Sequence, residues 1–229
     1  MKKMILMAIV VLMTALQVSA QYKVGDVYNE NGVKGMVCYV DESGQHGLVM
    51  SFKAAQKTAA HWAKDKDFAE ANSPKCFDEE DGMNNMKKLE EYINKKGLSW
   101  SDFPLFEWAR SLGDGWYIPA KNELQKLGQG LNGGSLKDFN AKNYKDYEKT
   151  IKKNKGDGMF NNGRFYMMLS STEAAGRVYA MMMAESNGSA LKTLAIGGYA
   201  KGDLMVGPGG PKCIKMQGIN YQSRAVHTF

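Results

Sequence analysis

The sequence is poor in cysteine, histidine and proline, and it lacks the short motifs of several enzyme classes. Its 229 residues include three cysteines, three histidines and five prolines. No Cys-x-x-Cys, His-Glu-x-x-His or Gly-x-Ser-x-Gly sequence occurs, so the templates for redox enzymes, zinc proteases and serine hydrolases fail. The acidic run from Asp78 to Asp81 lacks the ligand spacing of an EF-hand loop and is interpreted as a solvated turn. We therefore expect a non-catalytic protein with no metal site and no cofactor.

The three cysteines are Cys38, Cys76 and Cys213. In an oxidising compartment they permit one disulfide and leave an odd thiol, and three pairings are possible. Alternatively, all three are small buried apolar side chains, which is common for free cysteine. The sequence leaves both interpretations open.

Long apolar runs are absent except at the N-terminus. Lys2 and Lys3 precede an apolar stretch over residues 4–16, and the small residues Val18, Ser19 and Ala20 follow it. This arrangement is typical of a signal peptide over residues 1–20, whereas a buried N-terminal helix is the less favoured alternative. No later stretch is long enough to cross a membrane. We expect an exported chain, residues 21–229, located in the periplasm, on the outer surface or outside the cell.

Positive charge is in small excess. The chain has 30 basic and 24 acidic residues, a net charge of +6, and much of the excess lies in residues 142–155. An excess of this size usually serves solubility, so nucleic acid is not an expected partner.

The pattern of apolar residues predicts strands, then helices, then strands again. Strands are predicted at 24–28, 36–40, 48–50, 165–169, 178–183, 191–196, 212–216 and 223–229, and helices at 54–71 (weak), 83–95, 106–112 and 120–127. Gly97 is expected to end the second helix and Gly128 the last one. Residues 129–164 are interpreted as an insertion rich in Lys, Gly and Asn with at most one loosely docked helix. This order predicts an α+β fold with antiparallel sheets.

Three segments carry a family resemblance: residues 106–124, the Ser-Ser-Thr-Glu sequence at 170–173, and residues 223–229. Their order resembles the secreted C-type-lectin-like domains of gut Bacteroidetes and the C-terminal domain of the Legionella collagen-like adhesin. The resemblance implies one C-type-lectin-like domain over residues 21–229. In that fold the N- and C-terminal strands pair, two main helices flank them, and a second sheet carries long surface loops. The motifs of calcium-dependent sugar binding in lectins are absent.

Aromatic residues of the central segment are expected to support the fold. Trp108 is expected to face the core from a helix, and Trp116 and Ile118 from an extended piece, whereas the alternation of side chains directs Tyr117 away. Pro119 then ends the extended piece. Binding a ligand is the less favoured role for both tryptophans.

Polar residues beside these aromatics are also predicted to be structural. Glu123 occupies the capping-box position of the last predicted helix, although Ala120 cannot itself provide a cap. The hydroxyls of Ser171 and Thr172 are expected to satisfy backbone groups. Glu173 is predicted to pair with Arg224.

By analogy with the long-loop region of the fold, a ligand is expected at residues 186–190 and 199–211. Asn187, Tyr199 and Asp203 are the candidate binding residues, although Asn187-Gly188 is also a hairpin-turn signal. The expected function is an exported module that recognises an unknown glycan or protein at the cell surface. A structural component of the bacterial envelope is the alternative. An enzyme of the formylglycine-generating type is third, because that family needs two late cysteines and only Cys213 lies late.

Overall fold

The computed structural model of the protein describes residues 21–131, 133–134, 141–159, 165–174, 177–184, 195–196, 220–221 and 223–229. The predicted signal peptide at 1–20, the predicted strand at 212–216 and Cys213 lie outside the described residues.

Two four-stranded sheets and five α-helices form the described part of the chain. The first sheet has the order β1 (Val27–Glu30), β2 (Val33–Val40), β3 (Gly47–Ser51) and β8 (Val226–Thr228). The second has the order β6 (Ala195–Ile196), β5 (Arg177–Ala184), β4 (Phe165–Ala174) and β7 (Asn220–Tyr221). The helices are α1 (Lys66–Ala71), α2 (Gly82–Lys96), α3 (Pro104–Ser111), α4 (Lys121–Leu131) and α5 (Ala141–Lys153), with 3-10 turns at Lys57–Ala60 and Trp100–Asp102. Every strand pair is antiparallel except β4 with β7, so the predicted α+β class is confirmed.

Local sequence signals explain the first hairpin and helix α2. The turn between β1 and β2 places Asn31 and Gly32 at φ values of 52° and 80°, the left-handed region that a tight hairpin turn requires. Helix α2 begins after Asp81, whose side chain accepts a hydrogen bond from the Asn84 amide. It ends at Gly97, which has a φ of 64°. Both elements lie where the sequence predicts them.

The C-terminal strand pairs differently from the expectation that the resemblance implies. β8 pairs with β3 through Val49↔His227 and Met50↔Val226, whereas β1 lies at the opposite edge of the sheet. Val226 also forms a bridge with Tyr117. Val226 therefore lies between β3 and the central segment, where it is fully buried.

The weak helix predicted over 54–71 is interrupted. The structure has a 3-10 turn at Lys57–Ala60 and a separate helix, α1. Between them Trp62 is fully buried, and its Nε1 donates to the Ser170 carbonyl at 3.2 Å. Asp65 then caps α1 by accepting from the Phe68 amide. Insertion of the tryptophan into the core explains why one continuous helix is not formed.

Helix α4 continues through Gly128, where it was predicted to end. A Cβ atom at Gly130 would collide with the carbonyl oxygen of Cys38 on β2. Glycine therefore lets the helix approach the sheet closely. The expectation that Gly128 ends the helix is wrong, because the glycines of this segment serve packing within a helix that reaches Leu131.

The predicted insertion does contain one helix, α5, but this helix is firmly docked. Tyr144, Ile151 and Met159 are buried in the same apolar cluster as the sheets. The Asp157 carboxylate accepts from the Ala54 amide at 2.9 Å, and the Asp157 amide donates to the Phe52 carbonyl. Residues 141–159 are therefore part of the core, and the expectation of loose docking is wrong for them.

The central extended segment is covered on both sides. Trp116, Tyr117 and Ile118 are 6%, 2% and 0% exposed, so the prediction that Tyr117 points away from the core is wrong. Helix α3 buries Leu105, Phe106 and Ala109, whereas Trp108 and Leu112 are only partly buried against the core. The main core-facing side of α3 is thus offset from the one predicted through Trp108. Among the described helices, none combines the length and the apolar character needed to cross a bilayer.

Candidate functional site

The predicted ligand-binding residues Asn187, Tyr199 and Asp203 lie outside the described residues. The predicted structural residues are described, and they fall into two polar networks that join elements of the fold. A separate surface cleft, which the sequence analysis does not predict, lies beside helix α3.

The Glu123 carboxylate joins the starts of two helices. Its Oε2 accepts from the amides of Ala120 and Gly82, at 2.8 and 3.0 Å, and these residues begin α4 and α2. Its Oε1 accepts from the Tyr117 hydroxyl at 2.6 Å. Burial raises the pKa of Glu123 although these three hydrogen bonds oppose the shift. Burial and the adjacent Glu123 also raise the pKa of Tyr117.

Thr172 provides the helix cap that Ala120 cannot supply. The Lys121 amide donates to Thr172 Oγ1 at 3.0 Å, and this hydroxyl in turn donates to the Asp78 carbonyl at 2.7 Å. The next amide of α4, that of Asn122, donates to a backbone carbonyl at 2.8 Å. The free amides at the start of α4 are therefore satisfied by residues distant in sequence.

Ser171 and Glu173 continue the same network along β4. The Ser171 amide donates to the Pro119 carbonyl at 2.8 Å. The fully buried amide of Asn85 donates to Ser171 Oγ at 3.1 Å. Glu173 accepts from the Cys76 amide and from the Ser73 hydroxyl, at 3.0 and 2.8 Å.

Arg224 forms the second network. Its guanidinium is fully buried and donates to the carbonyls of Ser51, Phe52 and Asp157. It thereby ties β3, the C-terminal segment and the loop after α5 together. No ion pair joins Arg224 to Glu173 between these two described side chains, because each is directed to the partners given above. The predicted pair is therefore wrong.

Cys38 and Cys76 are buried free thiols. Their sulfur atoms donate weakly to the carbonyls of Leu48 and Asn85, at 3.2 and 3.3 Å. Burial raises the pKa of the Cys38 thiol. These two residues fit the buried-thiol interpretation and not a disulfide between them. No cluster of three or more His, Cys, Asp or Glu side chains suited to a metal ion occurs in the described ranges.

A cleft of about 460 Å³ opens between α2, the 3-10 turn at Trp100, α3 and the loop after α3. Its apolar lining comes from Trp100, Trp116, Met83 and Met86. Its charged lining consists of two cations and three carboxylates: Lys87, Arg110, Glu90, Glu107 and Asp114. All five charged side chains are exposed. The cleft therefore combines a small apolar floor with polar groups of both signs at its rim.

Two side chains of the cleft are held in place by each other. The Arg110 guanidinium lies over the Trp100 ring, 4.0 Å from its centroid. Such stacking fixes the planar guanidinium and the ring together. On the opposite side, Gly113 and Gly115 have φ values of 124° and 77°, which a residue with a side chain rarely adopts. A Cβ at Gly115 would collide with the His227 ring, so the loop carrying Asp114 is fixed against β8.

The sequence holds a partial signal for this cleft. Lys87 and Glu90 are three positions apart on α2, and so are Glu107 and Arg110 on α3. Each pair therefore lies on one helix face. That the two faces and Trp100 line one cleft depends on how α2 and α3 pack, and no local pattern reports this packing.

Comparison with known proteins does not place the chain in a group. No family model, curated protein or solved structure matches it.

Proposed function

We propose that this chain is an exported, non-catalytic recognition module with a single C-type-lectin-like domain, and that it binds a glycan or a protein at the cell surface. Export is supported by the basic, apolar and small-residue pattern of residues 1–20.

The lectin-like assignment is supported by the meeting of the three resembling segments in one core. Tyr117 and Val226 exchange backbone hydrogen bonds of 3.0 and 2.8 Å. The Ser171 amide donates to Pro119, and Ser223 Oγ accepts from the Leu169 amide at 2.9 Å. The central segment, β4 and the C-terminal segment are thus mutual neighbours. The pairing of β8 with β3 in place of β1 is a departure from the expected strand order.

A non-catalytic role is supported by how the buried carboxylates are used. Glu123 and Glu173 are 7% and 3% exposed, and the oxygens of both accept from backbone amides and hydroxyls. Such groups hold the fold together and are inaccessible to a substrate.

The observation that carries the proposal is the cleft beside α3. It is concave and close to the size range of small-ligand sites, about 300–1,000 Å³, and it presents fixed aromatic and charged groups at the surface. Sites of this kind on a stable scaffold are how many such domains acquire function.

The test is a binding screen of residues 21–229 against an array that carries both glycans and extracellular proteins. Reproducible, saturable binding to a glycan or a protein is the expected result. A folded chain that binds nothing on the array would overturn the proposal and favour a structural role in the envelope.

A further inference from the structure

We infer that the cleft between α2 and α3 binds a neutral oligosaccharide, with Trp100 as the ring on which a sugar packs and Glu90, Glu107 and Asp114 as acceptors for sugar hydroxyls. This inference rests on the proposed function and specifies its ligand class and its site.

The size of the cleft favours a small ligand over a protein surface. Its volume of about 460 Å³ lies at the lower end of small-ligand pockets. A stable protein partner needs about 800 Å² on each side, which is generally found on flatter and larger surfaces. A short saccharide or a single chain end fits this space better than a folded domain.

The charges of the cleft favour a neutral ligand. Lys87 and Arg110 contribute two positive charges, and Glu90, Glu107 and Asp114 contribute three negative ones. The carboxylates repel an anion, whereas the two cations repel a positively charged ligand. A sugar hydroxyl can donate to a carboxylate and accept from a cation, so a polyhydroxylated neutral molecule uses groups of both signs.

The carboxylates are available for such contacts. Glu90, Glu107 and Asp114 have no hydrogen bond or ion pair to any other residue in the described part of the chain. A ligand hydroxyl therefore replaces water and does not have to break an existing contact within the protein. Hydrogen bonds to charged groups are stronger than those between neutral groups.

The apolar floor complements the weakly polar C–H faces of a sugar ring. Trp100 is held by Arg110, so little side-chain freedom remains to be lost on binding. Met83 and Met86 contribute flexible, polarisable surface beside it. The Gly113–Gly115 loop lets backbone groups approach the ligand closely, because no Cβ projects from either glycine.

The experiment uses residues 21–229 and hexasaccharides of four neutral types, namely malto-, cello-, xylo- and manno-oligosaccharides. A chitosan hexamer and an oligogalacturonate serve as cationic and anionic probes. Affinity is measured by calorimetry and by tryptophan fluorescence for the wild type and for Glu90→Gln, Glu107→Gln and Asp114→Asn. Glu91→Gln is the matched control, because Glu91 is also exposed on α2 but does not line the cleft. Thermal unfolding verifies that each variant is folded.

At least one neutral oligosaccharide is expected to bind, with affinity about tenfold weaker in each cleft variant and unchanged in Glu91→Gln. Neutral binding that survives all three cleft substitutions would overturn the inference while leaving the proposed function intact. Binding confined to the charged saccharides or to proteins would do the same. Failure to bind any glycan or protein would overturn both.

Discussion

The Tyr117 hydroxyl donates a 2.6 Å hydrogen bond to Glu123, and both side chains are buried where α2, α4 and the central segment meet. The same carboxylate accepts the amides at the start of both helices. Three donors are therefore gathered on one group whose charged form is disfavoured by burial, since burial raises its pKa.

The first prediction concerns the pH dependence of stability. Because the pKa of Glu123 is higher in the folded state than in the unfolded state, the folded chain binds the proton more tightly. The contribution of Glu123 to stability is therefore greatest at pH values below its unfolded pKa and is lost as the pH rises through its folded pKa. In Glu123→Gln this loss is absent. The free energy of unfolding of the variant relative to wild type should thus increase from pH 4 to pH 8, as measured by chemical denaturation.

Glu91→Gln is the control for this series, because Glu91 is exposed on α2. Its stability relative to wild type should stay nearly constant over the same pH range. A Glu123→Gln variant that loses stability relative to wild type with rising pH would contradict the prediction.

The second prediction concerns the cap that β4 provides to α4. Thr172→Val keeps the shape of the side chain but removes the acceptor of the Lys121 amide and the donor to the Asp78 carbonyl. We expect a loss of about 1–3 kcal/mol in the free energy of unfolding. Thr172→Ser retains the hydroxyl and should cost only about 0.8 kcal/mol for the buried methyl group. Equal losses in the two variants, measured by urea denaturation, would show that the hydroxyl has no capping role.

The third prediction concerns the close approach of α4 to β2. Gly130→Ala places a methyl group against the Cys38 carbonyl, so either the helix or the strand must shift. Overpacking of this kind typically costs about 1–3 kcal/mol. Gln129→Ala, at the exposed neighbouring position, should change stability by less than about 0.5 kcal/mol. A Gly130→Ala variant that is as stable as wild type would disprove the steric role of this glycine.

The fourth prediction concerns thiol reactivity. Cys38 and Cys76 are fully buried, so both should be inert to a thiol reagent in the native protein. Cys213→Ser removes the third thiol and leaves these two. The native variant should show no rapid reaction with Ellman's reagent, and the unfolded variant should show two thiols. Detection of fewer than two thiols after unfolding without reductant would instead indicate a disulfide between Cys38 and Cys76.

Elements fixed by nearby residues could be predicted from the sequence. The β1–β2 turn is specified by Asn31-Gly32, and the ends of α2 are specified by Asp81 and Gly97. These signals act within a few residues, so packing elsewhere does not alter them. The alternation between polar and apolar residues likewise located β2 and β3.

Features that depend on packing could not be predicted in this way. A glycine that ends a helix and one that lets a helix approach a sheet look alike in sequence, which explains the error at Gly128. Tyr117 was assigned to the surface by alternation, but Glu123 satisfies its hydroxyl inside the core. The cleft was missed for the same reason, since Glu90 and Glu107 face one space only after α2 and α3 are assembled.

The position of β8 has a consequence for the order in which the chain folds. Arg224 and its acceptor Ser51 are 173 residues apart, and β8 supplies the neighbour of both β3 and Tyr117. During synthesis the ribosome releases β3 long before residues 223–229 exist, so the apolar edge that β8 will cover stays open in the nascent chain. Completion of the core is therefore a late, non-local step, and contacts of such long sequence separation slow folding. A chain that stays open until its last segment arrives can be held unfolded by a chaperone until then.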